Sequence, residues 1–271
     1  MSQNDMTVDN STGANVRADI NSALQALATN SSGSSAPSTN FASQFFANTS
    51  TSIMQLRNTS NNAHINLFSL AGAPAFPLDG TINSVNIGKG ANSVAGNTVL
   101  GESALDASVS GGANIAIGRN ALTTNTSGSN NTAVGDASLE NNTTGSQNVA
   151  VGLSTLFTNT TGADNTALGA GALNANTTAS NNTAVGRKAL LLNTTGTGNT
   201  AVGQGSLDAN TTASNNTAVG KAALGANSTG TSNTAVGHSA VGATTGSFNV
   251  GIGLQALASN TTASNNTAVG S

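Results

Sequence analysis

The sequence predicts a mainly β protein in which a tandem 17-residue repeat folds as a parallel β-solenoid. Three observations predict this fold: the fixed period, the positions that keep one residue type in every copy, and the composition. Charged residues make up 6% and aromatic residues 3% of the 271 residues, and Trp, Tyr and Cys are absent. An ordinary globular domain carries about 25% charged residues. A chain so poor in large side chains offsets its conformational entropy only if similar coils stack on one another.

The period is marked by a glycine that follows Ala-Val or a similar pair, here called the anchor glycine. Successive anchor glycines lie 17 residues apart, except for one step of 16 residues that ends at Gly253. They are Gly101, Gly118, Gly135, Gly152, Gly169, Gly186, Gly203, Gly220, Gly237, Gly253 and Gly270. Ten such coils at the usual strand spacing of about 4.8 Å predict a rod about 50 Å long.

Polar and apolar positions keep a fixed place in each copy. An aliphatic residue precedes the anchor glycine, as Val134 does, and Leu139 illustrates the leucine four residues after it. A second asparagine opens an Asn-Thr-Thr-Gly corner, as at 142–145. The asparagine four residues before the anchor is expected to form inward hydrogen-bonded ladders. These residues are Asn114, Asn131, Asn148, Asn165, Asn182, Asn199, Asn216, Asn233, Asn249 and Asn266.

Side chains alternate across a strand, so each repeat has two distinct faces. Thr132 and Val134 share one face, whereas Ala133 and Gly135 take the other. Because Ala and Gly permit close approach, we expect the Ala/Gly face to pack against a neighbouring chain.

Residues 1–72 lack the repeat and predict a small α+β module. Val16, Ile20, Leu24 and Leu27 have helical spacing, which predicts a helix over 15–30. Two strand-like runs joined by an Asn-rich turn predict a hairpin over 52–68. A Pro-containing linker at 73–82 then leads into a rod that covers 83–271.

The sequence gives no pattern expected of an enzyme, so we expect no catalytic residues, no cofactor and no metal. The acidic residues of the rod occupy different repeat positions and form no fixed carboxylate pair; they are Glu102, Asp106, Asp136, Glu140, Asp164 and Asp208. His238, one residue after its anchor glycine, could ligate an ion only if three copies met on a threefold axis. A plain surface role is the simpler interpretation.

Charge and hydropathy exclude further classes. The net charge is −3, without the basic cluster of a nucleic-acid surface. No apolar run approaches the length that spans a membrane, and the start lacks the pattern of a secretory signal peptide.

The repeat resembles a known motif. Asn-Asn-Thr-Ala-Val-Gly at 181–186, 215–220 and 265–270, and Asn-Ser-Val-Asn-Ile-Gly at 83–88, are similar to the Asn-Ser-Val-Ala-Ile-Gly motif of the head domains of trimeric autotransporter adhesins. The resemblance covers about residues 80–271 and implies a left-handed β-roll that assembles as a homotrimer. This chain differs in its longer coil.

The first part of the chain resembles a different family. It contains Val-Arg-Ala-Asp-Ile-Asn-Ser-Ala-Leu-Gln-Ala-Leu at 16–27, Ala-Pro at 36–37, Met-Gln-Leu-Arg-Asn at 54–58 and Ile-Asn-Leu at 65–67. This order makes residues 7–72 similar to an N-terminal module of tail-fibre-like virion proteins of short-tailed bacteriophages that infect marine cyanobacteria. The resemblance implies a structural tail fibre, made in the host cytoplasm and located in the virion. Its N-terminal module would bind a tail or adaptor protein, and its shaft would serve as a spacer or contact a host surface receptor. A further fibre protein could dock at the C-terminal end.

Two other functions remain open at this stage. The corner threonines suggest an ice-binding solenoid, although a strict Thr-x-Thr file is lacking. A fragment of a bacterial surface adhesin is the third hypothesis.

Overall fold

The computed structural model describes residues 85–271 apart from Ser108, and five short strands before them. These strands are β1 (Ser32–Gly33), β2 (Phe45–Asn48), β3 (Ile53–Arg57), β4 (His64–Ser69) and β5 (Gly80–Ile82). The chain divides into two compact units, Met1–Pro77 and Leu78–Ser271. The helix predicted at 15–30 lies outside the described residues, as does most of the linker predicted at 73–82.

The first unit contains a four-stranded sheet with the order β1-β2-β3-β4. β1 pairs with β2 in parallel, and β2 pairs with β3 antiparallel. β3 and β4 also pair antiparallel, with a register shift between Met54 and Gln55. The two strands of the expected hairpin are therefore neighbours in one sheet.

The second unit is a parallel β-solenoid of about ten turns, each of about 17 residues, and it contains almost no helix. Its strands are β6 (Val85–Gly88), β7 (Thr98–Gly101), β8 (Ile115–Ile117), β9 (Thr132–Val134), β10 (Val149–Val151), β11 (Thr166–Leu168), β12 (Thr183–Val185), β13 (Thr200–Val202), β14 (Thr217–Val219), β15 (Thr234–Val236), β16 (Val250–Ile252) and β17 (Thr267–Val269). One short 3-10 helix lies at Ala91–Ser93. The predicted solenoid fold is confirmed.

The strands from β7 to β17 pair in parallel with unbroken register, so equivalent residues of successive coils lie directly over one another. Thr183 is opposite Thr200, Ala184 opposite Ala201, and Val185 opposite Val202. Between strands the coil consists of turns whose amide groups bond to the next coil, as the Leu173 amide donates to the Ala189 carbonyl at 3.0 Å. The backbone polar groups are thus satisfied between neighbouring coils.

The sheet begins with an antiparallel segment. β5 pairs with β6, and β6 pairs with β7, both antiparallel. The motif at 83–88, which most resembles the adhesin heads, was expected to start the parallel coils, and its strand β6 instead runs against them. Left-handed backbone at Asn92 and Ser93 accompanies the reversal, in a connection shorter than a full coil.

The interior contains one leucine and two small residues from each coil. In a central coil Ala184, Ala189 and Leu190 are completely buried. The strand alanine therefore points into the solenoid, and the threonine and aliphatic residues on either side of it point outward. The expectation that the Ala/Gly face meets a neighbouring chain was wrong. The interior already holds the leucine file and two files of asparagine, and only a methyl group fits beside them.

The anchor glycines have backbone angles that other residues avoid. Gly186, for example, has φ 132°. A Cβ atom there would lie 2.7 Å from the carbonyl carbon of Gly203 in the next coil. Glycine is required at this position by both conformation and space.

Candidate interaction surfaces and buried ladders

The asparagines four residues before the anchor form a buried hydrogen-bonded ladder. Asn131 is typical. Its backbone amide nitrogen donates to Asn114 Oδ1 at 3.0 Å, and its side-chain Nδ2 donates to the same oxygen at 3.1 Å. Asn131 Nδ2 also donates to the Gly145 carbonyl at 2.9 Å. From Asn114 to Asn249 these residues are completely buried. Their role is to join coils, and no ligand can reach them.

A second ladder runs through the corner asparagines, which were expected to open a turn. Asn142 Nδ2 donates to Asn125 Oδ1 and to the Gly145 carbonyl, both at 2.9 Å. Its members are Asn125, Asn142, Asn159, Asn176, Asn193, Asn210 and Asn227. The 17-residue period already marks this set in the sequence. Because the side chains are buried and bonded, the Asn-Thr-Thr sequences here are structural corners and cannot accept glycans in the folded chain.

The second ladder is interrupted in the 16-residue coil. Thr244 occupies the next position and is buried, and its Oγ1 accepts a hydrogen bond from the Gly246 amide at 3.0 Å. Thr244 lacks the side-chain Nδ2 that, in the other coils, donates to the asparagine of the coil before, and its hydroxyl makes no such bond. Asn227 Oδ1 is consequently buried with no hydrogen-bond partner among the described residues. Leaving a buried acceptor without a partner costs stability.

We expect Thr244→Asn to stabilise the solenoid by about 1 kcal/mol, since an added amide would supply the donor that Asn227 Oδ1 lacks. Thermal unfolding of the full chain measures the gain as a higher midpoint. The control is Ala243→Asn, which adds the same group at an exposed neighbour and should leave the midpoint unchanged. An equal rise in both variants would show that the ladder is not the cause.

The outward side of the parallel sheet, from β7 to β17, carries two files of side chains and is called here the outward sheet face. One file is mainly threonine, as at Thr200, and the other is aliphatic, as at Val202. Leu168 is 47% exposed, Val202 36% and Val236 37%. Seven of the eleven aliphatic residues in this file are exposed, and the other four, Ile117, Val134, Val151 and Val185, are half-buried. Isolated exposed apolar residues are ordinary, whereas a continuous strip of them marks an interaction surface.

The candidate ion ligand and the acidic residues do not form a site. His238 is exposed on the outside of its coil. Among the residues that the structure describes, no group of three His, Asp or Glu side chains could hold a metal ion. The acidic side chains are separated: Asp136 pairs with Arg119 at 2.7 Å, and Asp106 accepts a hydrogen bond from Asn86 at 3.0 Å.

Two charged groups of the rod have shifted pKa values. The pKa of Arg119 is raised, first by its hydrogen bond to Asp136 and then by the charge of that carboxylate. The pKa of the Asp208 carboxyl is raised because partial burial disfavours its charged form. The folded state therefore binds the Asp208 proton more tightly than the unfolded state does. Deprotonation of Asp208 lowers the stability of the fold as the pH rises above the ordinary pKa of an aspartate carboxyl. Neither shift involves the paired acid and base of a catalytic site.

In the described part of the chain, no helix is both long and apolar enough to cross a membrane. Comparison of the chain with protein-family models, with curated proteins and with solved structures gives no match.

Proposed function

We propose that the protein is a non-enzymatic structural fibre of a bacteriophage tail, in which three solenoids associate into a shaft that serves as a spacer or contacts a host surface. The observation that carries the proposal is the outward sheet face. It repeats an aliphatic side chain in every coil, beside a threonine in most coils, and most of the aliphatic file is exposed in the single chain. Burial of such a file is favourable by about 25 cal/mol per Å² of apolar surface.

A second and a third copy of this chain are the partners that best fit the outward sheet face. Each copy presents the same spacing between coils, so the aliphatic files of neighbouring chains can meet in register along the whole solenoid. The resemblance to adhesin heads supports a threefold arrangement and a left-handed β-roll. In this proposal the Thr/aliphatic face lies toward the threefold axis, in place of the Ala/Gly face.

The ends of the fibre have separate roles in the proposal. Residues 1–72, which resemble the module of phage tail fibres, bind a tail or adaptor protein of the virion. The C-terminal coils contact a further fibre protein or the host surface receptor. The protein is then made in the host cytoplasm and assembled into the tail, and its role in adhesion is carried by the shaft.

Solution mass tests the trimer directly. Light scattering of the full chain should give three times the single-chain mass of 26.2 kDa. We expect Val202→Glu to lower the mass to that of one chain, because it places three carboxylates together in an apolar interface.

The control for this experiment is Leu192→Glu. Leu192 is 48% exposed and lies outside the strands, so the same charge there should leave the mass of the trimer unchanged. A wild-type chain that is monomeric at micromolar concentration would contradict the trimeric fibre. Loss of the trimer in both variants would show that the outward sheet face is not its interface.

Ice binding is the second candidate, and it rests on the same face. The outward threonines of β9 and of β11 to β15 form a regular file on a parallel sheet, and such a file could order water. A monomer whose thermal hysteresis is lost in Thr200→Leu would favour this function. A trimer that buries the face would argue against it.

A further inference from the structure

The 16-residue coil between Gly237 and Gly253 departs from the others at several places. Val241 replaces the buried leucine, and Gly251 replaces the strand alanine. The two changes are linked, since a Cβ atom at Gly251 would lie 2.5 Å from Val241 Cγ2. With the ladder interruption at Thr244, this coil is the most irregular of the solenoid. Local rules of a fold are most often broken where function requires it.

The same coil exposes an aromatic ring. Phe248 is 59% exposed and has φ 60°. Most coils place a small or polar residue at the equivalent left-handed position, and four of them place asparagine: Asn130, Asn181, Asn215 and Asn265. Asn adopts this conformation more readily than Phe. The buried leucines also have positive φ angles, but their burial offsets the strain, whereas the ring of Phe248 gains no such burial.

Polar groups without charge occupy the adjoining positions. The Thr231 amide donates to Ser247 Oγ at 3.0 Å, and the Ser247 amide donates to Ser264 Oγ at 3.0 Å. In the file of Phe248 itself, Ser232 precedes it by one coil and Asn265 follows it. The positions beside Phe248 thus carry hydroxyl and amide groups, and the hydroxyls of Ser247 and Ser264 are held by hydrogen bonds between coils.

We propose that Phe248 and the hydroxyl and amide groups beside it form a binding site for a neutral sugar ring of a polysaccharide. A hexose presents an apolar face of C–H groups, which packs on an aromatic ring, and hydroxyl groups at its edge, which bond to Ser and Asn side chains. A neutral sugar is favoured over a charged one because no ionisable side chain lies in these positions. The inference rests on the proposed host-surface role and names the class of receptor.

The test uses the full chain, isothermal titration calorimetry and soluble oligosaccharides of glucose, galactose, mannose and N-acetylglucosamine. We expect at least one to bind wild type, and Phe248→Asn to weaken that binding at least tenfold. Because Asn suits the left-handed position, this variant should keep or raise the thermal midpoint, so the loss of binding cannot be ascribed to unfolding. The control is Leu254→Asn, which removes an exposed apolar side chain of the next coil, 54% exposed, and should leave binding intact.

Three results would overturn the inference. One is that none of the four oligosaccharides binds wild type. Another is that Phe248→Asn binds as wild type does, which would place the site elsewhere. The third is that Phe248→Asn changes the solution mass, which would assign the ring to a contact between chains. The wild-type mass reports on the fibre separately, so the sugar site and the trimer can fail independently.

Discussion

Gly186→Ala should destabilise the solenoid by about 2–6 kcal/mol, the sum of a backbone strain of about 1–3 kcal/mol and an overpacking cost of about 1–3 kcal/mol. Gly186 has φ 132°, and its added Cβ would meet the Gly203 carbonyl group at 2.7 Å. Backbone atoms of a central coil cannot move away without breaking the ladder above and below. The measurement is amide hydrogen exchange over β12 and β13, with thermal unfolding of the full chain.

The control is the same substitution at Gly205, a turn glycine two residues after its anchor. A Cβ atom at Gly205 would meet nothing closer than Asp208 Oδ2 at 3.6 Å, and Lys188 and Ala222 adopt the same left-handed conformation at the equivalent position of the neighbouring coils. The fold therefore accepts a side chain there, and Gly205→Ala should change the stability by less than about 1 kcal/mol. Equal stability of the two variants would contradict the packing described for the anchor glycines.

The solenoid could be predicted from the sequence because its determinants repeat. The glycines follow the same period as the strands, and one copy is enough to assign Leu139 to the interior and the corner at 142–145 to a turn. The parallel register follows once the period is known, since a shift by one residue would turn the buried strand alanines outward and the outward threonine and aliphatic residues inward.

The alternation of residues along each strand could not predict which of its two faces is buried. Thr183 and Val185 are separated from Ala184 by the period of two, but that pattern is the same whichever face is buried. The space inside the coil determines which face is buried. That space depends on where the leucine and asparagine side chains of the turns lie. The sequence-based interpretation placed the Ala/Gly face against a neighbouring chain, whereas the strand alanines are buried inside the solenoid.

The interaction surfaces are the least predictable part of the chain. In the sequence Phe248 is only an isolated departure from the repeat, and the structure is needed to show that its ring is exposed. The defect at Asn227 also has no signature in the sequence beyond one missing asparagine. Each feature occurs in a single coil and is not repeated in the others. The repeat pattern therefore gives no basis for predicting them.

Asn165→Asp should destabilise the solenoid by about 3–5 kcal/mol at neutral pH, the cost of a buried charge without a partner. Asn165 Nδ2 donates to Asn148 Oδ1 at 3.1 Å and to the Ala179 carbonyl at 2.9 Å, whereas its Oδ1 accepts from the Asn182 amide at 3.1 Å. A carboxylate would keep only the acceptor role, and it would face two oxygen atoms that repel it.

The pH dependence of Asn165→Asp has a definite sign. Burial raises the pKa of the new carboxyl above its unfolded value of about 3.9. The loss of stability is therefore small below that pH, grows as the pH rises through the interval between the two pKa values, and is complete above the folded-state pKa. Denaturant unfolding between pH 3 and pH 8 measures this profile. The matched control is Asn181→Asp, at an exposed position where the coil before it carries Asp164, and its stability should match that of wild type throughout. If both variants unfold alike at neutral pH, the buried ladder does not hold the coils together.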